Sequence, residues 1–289
     1  MTDFIHTPTP PTPGAQPPQN TRRGRGLAIG VGIVGAVIVA GTIGGSAVAA
    51  VAAPAGAGTY STSAAVDGVE EIDIEMSAGT VDVRFGDVRE ATLEVSSNGS
   101  RAADGWRMDV RDGELVISQD RGWRGWGWGW FGFRNDGEVR ADIVLPQSLE
   151  NKVDASVTLN AGRATVAGGF NDLELTVNAG ELSYEGTSRE LSTTVNAGQA
   201  NVAVTDADSL DLSISAGRLI ADVTGTAPSE TSVSVTAGNA EVRLPQGTYE
   251  VERDATFGDL SVDVDTAPSS PNSLELSVAA GDLTVGYSR

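Results

Sequence analysis

The run Leu173-Glu174-Leu175-Thr176-Val177-Asn178-Ala179-Gly180-Glu181-Leu182-Ser183-Tyr184 decides the fold. Apolar residues take alternate positions at Leu173, Leu175, Val177 and Ala179. They resume at Leu182 and Tyr184, with the phase shifted by one residue at the glycine. Period-two alternation marks a half-buried strand. A phase slip at glycine requires a backbone bend that turns the next strand's apolar face back to the same core. Glycine allows that bend at low steric cost, and the preceding alanine fits a tight inner corner. The unit is strand, glycine corner, strand, short turn.

The unit repeats. Ala-Gly or a close variant recurs with its glycine at Gly162, Gly180, Gly198, Gly217, Gly238, Gly258 and Gly281, in steps of 18, 18, 19, 21, 20 and 23 residues. An earlier copy is Ile72, Ile74, Met76, Ala78-Gly79, then Val81, Val83 and Phe85. Between Gly79 and Gly162 the dipeptide is missing, yet the pattern stays β. Leu93 and Val95 alternate, as do Trp106, Met108 and Val110. Asp112-Gly113 is a two-residue hairpin signal, and Val139, Ala141, Ile143 and Leu145 end at Pro146. No amphipathic helix is expected after residue 60.

A period near 20 residues means stacked units, because one unit cannot bury its own apolar face. The expected fold is all-β, a β-solenoid or β-roll of short strands with glycine corners. A β-sandwich of hairpins is the alternative: it explains the alternation but not the reuse of one corner. Asn160, Asn178 and Asn196 share a register. Stacked coils could use them as an amide ladder, or asparagine simply suits a corner.

The 289 residues include no cysteine, and the one histidine is His6. Disulfides, thiolate metal sites and imidazole chemistry are thereby removed from the β region. Formal net charge is −20. One acid and three bases lie in residues 1–53, so residues 54–289 carry 38 acids and 16 bases, a net −22. That repels phosphates and argues against a nucleic-acid partner. It also keeps a long β surface soluble.

Residues 1–26, rich in proline, are expected to be a disordered cytoplasmic tail. Arg22, Arg23 and Arg25 precede an uncharged run, 27–53. As a helix it would be about 40 Å long and would cross a ~30 Å hydrocarbon layer with tilt. The arginines place the N-terminus in the cytoplasm and residues 54–289 outside. Ala47-Val48-Ala49 and Ala50-Val51-Ala52 resemble cleavage sites, so a removed signal peptide competes with a retained anchor. The long leader and long apolar run favour the anchor. Residues 54–68 read as a flexible linker and residues 69–289 as the extracellular β-repeat domain.

Trp123, Trp126, Trp128, Trp130, Phe131 and Phe133 are spaced by glycines between Arg121 and Arg134. The segment reads either as a hydrophobic cap over an open end or as an exposed patch. Tryptophan with arginine suits a membrane interface, a sugar face or a protein hot spot. No Ser-His-Asp, Cys-His, Walker or dinucleotide pattern occurs. Asp206, Asp208 and Asp211 lack the spacing of an EF-hand. Neither an enzyme, a cofactor nor a metal is expected.

From Asp142-Ile143-Val144-Leu145-Pro146 onward, the Val/Ile-Leu-Pro strand end and serial units such as Val177-Asn178-Ala179-Gly180-Glu181-Leu182 resemble the bacterial putative-adhesin domain family. The likeness covers roughly residues 70–289. In that family an acidic residue often follows the corner glycine. Gly180-Glu181, Gly258-Asp259 and Gly281-Asp282 match, whereas Arg163, Gln199, Arg218 and Asn239 depart. The resemblance implies a repeat-built cell-surface module of unknown function with no catalytic residues. The expectation is a single-pass membrane protein for surface contact or adhesion, with a glycan, lipid or protein ligand. The alternative is an accessory of envelope-stress sensing or signalling.

Overall fold

The structure, a computed structural model, describes residues 59–97, 105–119 and 139–288. The proline-rich tail and the apolar run 27–53 lie outside the described residues. No helix among the described residues is long and apolar enough to cross a membrane.

The chain forms β1 (Thr59–Ala64), β2 (Glu71–Met76), β3 (Thr80–Gly86), β4 (Ala91–Ser97), β5 (Trp106–Arg111), β6 (Glu114–Gln119), β7 (Val139–Pro146) and β8 (Asp154–Leu159). The longer β9 (Arg163–Val177), β10 (Glu181–Thr205), β11 (Ser209–Thr224) and β12 (Glu230–Leu244) follow. The last are β13 (Thr248–Ala255), β14 (Asp259–Val262), β15 (Asp265–Thr266) and β16 (Ser273–Tyr287). All sixteen join one mixed sheet that folds at the glycine corners. A 3₁₀ turn, Gln147–Leu149, follows β7.

Each coil has two arms joined by a corner, and equivalent arms pair in parallel. Leu173 lies opposite Leu191, Leu191 opposite Leu210, and Leu182 opposite Ala164. The inward positions therefore form columns. One runs Ile117, Ile74, Val157, Leu175, Thr193, Leu212, Val233 and Leu276, and every member is buried. This is the solenoid-like arrangement expected from the repeat, and it accounts for the corner in a way that separate hairpins do not.

The corners explain the glycines. Gly180 has φ +115°, and its neighbour below is the Gly162 backbone. A Cβ on Gly180 would lie inside contact distance of the Gly162 carbonyl oxygen and 2.9 Å from the Gly162 nitrogen. Each corner thus sits directly on the backbone of the one before it. Gly79, Gly162, Gly198, Gly217, Gly238 and Gly281 share the positive φ, while Gly258, in the last coil, does not. Beside the stack, the Asn178 amide donates to Asn160 Oδ1 at 2.9 Å and the Asn196 amide to Asn178 Oδ1 at 2.8 Å. The ladder ends where Ser215 and Thr236 take the next corner positions.

Three features differ from the expectation. The linker 54–68 contains β1, which pairs antiparallel with β4 through Tyr60–Val95 and Thr62–Leu93. Its Ser/Thr/Ala composition hid an alternation whose inward members, Thr62 and Ala64, are buried. Chain order is also broken at both ends of the stack. The β2–β3 coil lies between the β6–β7 coil and the β8–β9 coil. At the other end, β16 lies between β12 and the β13–β14 coil.

Candidate surface-contact site

The strands that flank the tryptophan segment, β6 and β7, are the two arms of one coil. β6 is the first arm of a coil and β7 the second, because β6 pairs with β2 and β7 with β3. Where other coils use a short Ala-Gly bend, this one has residues 120–138. Trp123, Trp126, Trp128, Trp130, Phe131 and Phe133 therefore lie outside the described residues, but both ends of their segment are placed. Gln119 Oε1 accepts from the backbone nitrogens of Ser77 at 3.0 Å and Ala78 at 2.8 Å. Ser77 Oγ donates to the Gln119 carbonyl at 2.9 Å. On the other side the Val139 carbonyl abuts Gly79, 2.7 Å from where a Cβ would stand. Gln119 and Val139 thus meet at one corner, Ser77-Ala78-Gly79, on the ridge of stacked corners. The sequence signal was present in the flanking strands, but without the dipeptide nothing marked them as two arms of one coil.

The outward face of the first arms is acidic. Glu71, Asp73 and Glu75 alternate along β2, with Glu114 on β6 and Asp154 and Glu174 beyond. Half-burial pushes the Asp73 carboxyl up to about 6, and the charges of Glu114, Glu75, Glu71 and Glu174 add to the effect. Burial, and then Glu71, raises Glu114 as well. Arg189 offsets part of this acidity further along, pairing with Asp172 at 2.6 Å and also with Glu190. Exposed pairs of this kind contribute little to stability.

Asp206, Asp208 and Asp211 are not brought together as a ligand set. Asp206 has φ +56° and closes a turn, with its Oδ1 accepting from the Thr226 nitrogen at 3.0 Å. The Asp208 carbonyl accepts from Ser229. Asp211 stands on the outward face, its carboxyl raised by burial. Among the described residues no group of three His, Cys, Asp or Glu side chains could hold a metal ion.

On the outward face of the second arms, Arg218, Asn239 and Asp282 stand side by side in one register row, with Ile220, Glu241 and Thr284 in the next. They line a shallow, open depression of about 340 Å³. It offers a guanidinium, an amide and a carboxylate to solvent. Phe257 was not singled out by the sequence reading. It takes the alanine position in the last corner and is 88% exposed, the one large apolar side chain so exposed among the described residues.

A family model described as Toastrack DUF4097 matches residues 69–289. No curated protein matches. Among solved structures, the chain is similar to a putative cell adhesion protein from Clostridium sporogenes, at 12% identity and a TM-score of 0.38, covering 80% of this chain and 100% of that one. A putative lipid binding protein from Parabacteroides distasonis gives 10% identity and a TM-score of 0.34, over 78% of this chain and 96% of that one. A putative adhesin from Bacteroides fragilis gives 13% identity and a TM-score of 0.28, over 79% and 97%.

Proposed function

The chain therefore belongs to the Toastrack DUF4097 family, and on that premise we propose that it is a membrane-anchored surface module that contacts a lipid or glycan surface through residues 121–134. Residues 27–53 are the single membrane span, with the N-terminus cytoplasmic and the coil stack outside. The role assigned is contact, and imidazole and thiol chemistry play no part in it, since residues 54–289 offer neither histidine nor cysteine. The observation that carries the reading is the grip of Gln119 and Val139 on the Ser77-Ala78-Gly79 corner. A segment with four tryptophans, two phenylalanines and three arginines, tethered at both ends on an outer ridge, suits a flat apolar or anionic surface. The rings would enter the interface while the arginines pair with anionic groups. The net −22 of residues 54–289 opposes a broad approach to such a surface, so contact is confined to this segment.

The test is co-sedimentation of the full chain with anionic-lipid vesicles and with cell-wall polysaccharide, beside a variant lacking residues 121–134. The full chain should sediment with at least one of the two, and the deletion should lose most of that binding. Equal sedimentation of the two proteins with both materials would refute the assignment.

A further inference from the structure

The last coil in the sequence is not the last coil in space. β16 pairs with β12 along its whole length, from Glu230–Ser273 to Leu244–Tyr287. On its other side it pairs with β13, from Glu250–Ser273 to Ala255–Val278, and with β14, from Asp259–Asp282 to Val262–Val285. Residues 248–262 follow β12 after only Pro245-Gln246-Gly247, yet they pair with β16 and not with β12.

Backbone register does not forbid that contact. Ser273 lies opposite both Glu230 and Glu250, so without β16 the β13 arm would meet β12 in phase, and Gly258 would align with Gly238. Side chains make the choice. Arg253 lies opposite Leu276, in the column of inward positions that is otherwise Ile117, Ile74, Val157, Leu175, Thr193, Leu212, Val233 and Leu276. It is exposed there, whereas Leu276 is buried. A further coil stacked outside β13 would bury that guanidinium among aliphatic groups without a partner, which is strongly unfavourable. Arg253 therefore makes residues 248–262 the last full coil, with only the two-residue β15 paired outside β13 at Thr248 and Tyr249. The Leu274, Leu276, Val278, Leu283 and Val285 set of β16 then has one place to go, the slot beneath that coil.

We propose that this slot is a strand-exchange site, filled by the chain's own β16 or by the β16 of a second copy of the chain. The slot reads nothing but the β16 sequence and its register, and a second copy presents both. Residues 263–272 tether β16 to β14, carry Pro268 and Pro271, and when extended reach at most ~36 Å. In the fold β12 pairs with β11 on one side and with β16 on the other, so its second edge is open in any chain whose β16 lies elsewhere. Exchange links two copies through the same pairs that close one copy, the arrangement of a domain-swapped dimer. The proposal is independent of the tryptophan segment and of the membrane anchor.

The chain has no cysteine, so introduced thiols report cleanly. Glu241 and Thr284 lie directly opposite across the β12–β16 pair and face outward, and neighbouring strands hold Cα atoms within disulfide reach. One full-length chain carries Glu241→Cys and a second, with a distinguishable tag, carries Thr284→Cys. They are unfolded together in urea, refolded at high concentration and oxidised. A covalent heterodimer is expected, at least tenfold above that from Glu241→Cys mixed with Ser61→Cys, a position at the opposite end of the stack. The double variant Glu241→Cys/Thr284→Cys shows separately that the pair closes within one chain. If it closes while the mixed single variants give no heterodimer above the control, exchange does not occur and the proposal fails.

Discussion

Replacing Gly180 by alanine adds one methyl group at the point where two corners touch. The backbone there has φ +115°, a region that a residue with a Cβ enters at a cost of about 2 kcal/mol. The methyl would also collide with the Gly162 carbonyl. That carbonyl accepts the Glu181 N–H at 2.9 Å. Pushing it aside weakens a backbone hydrogen bond worth about 1 kcal/mol. The expected loss is about 3 kcal/mol. With a urea dependence of about 3 kcal/mol per molar for a domain of this size, the unfolding midpoint should fall by about 1 M. Glu174→Gln, on the outward face of the same coil, is the control and should move the midpoint by less than about 0.2 M. Circular dichroism at the β minimum follows both transitions. A Gly180→Ala midpoint within about 0.2 M of wild type would show that the corner relaxes freely, and the steric account of the repeated glycine would be wrong.

Thr231 is 1% exposed between Leu210 and Leu274, and its hydroxyl has no partner. Thr231→Val should therefore raise stability by about 1 kcal/mol in urea unfolding, and a loss would mean that the hydroxyl is satisfied. Asn178→Ala removes both hydrogen bonds of the central ladder amide, whereas Asn196→Ala removes one. The first should cost about twice the second, on the order of 2 against 1 kcal/mol, and equal costs would argue against a ladder. Asp73 titrates near 6 in the fold against an ordinary 3.8, so its contribution favours the fold below 3.8 and is lost as pH rises through 6. Asp73→Asn should accordingly stabilise the protein at pH 7.5. The shift corresponds to about 3 kcal/mol at most, reduced to about 1 kcal/mol because the side chain is only half-buried. That gain should shrink as pH falls below 6, and a gain independent of pH would assign it to something other than charge.

Alternation around each Ala-Gly identified the inward residues, because the pleat ties side-chain direction to sequence position. Asn160, Asn178 and Asn196 pointed to a ladder for the same reason, since equal register in stacked coils places equal side chains 4.7–4.9 Å apart. Neighbour order was harder to read. Alternation says which face a residue takes, and several coils present interchangeable aliphatic faces, so β16 and β13 look equally able to follow β12. The discriminating residue was Arg253, a charge in an inward column, whose meaning depends on knowing the column. The role of Gln119 was hidden similarly, because its partners Ser77 and Ala78 are some forty residues away in sequence. In β1, serine and threonine composition masked a true alternation.

On the proposed reading, residues 121–134 are exposed to the outside of the cell. Because the chain lacks cysteine, Gly127→Cys creates a single thiol in the middle of that segment. The direct measurement is its reaction with a membrane-impermeant maleimide on intact cells producing the full chain, compared with the same cells after permeabilisation. Nearly full labelling is expected on intact cells, with little gained on permeabilisation. Labelling that appears only once the membrane is opened would place the segment inside, and a thiol that stays unreactive even then would make it a buried cap.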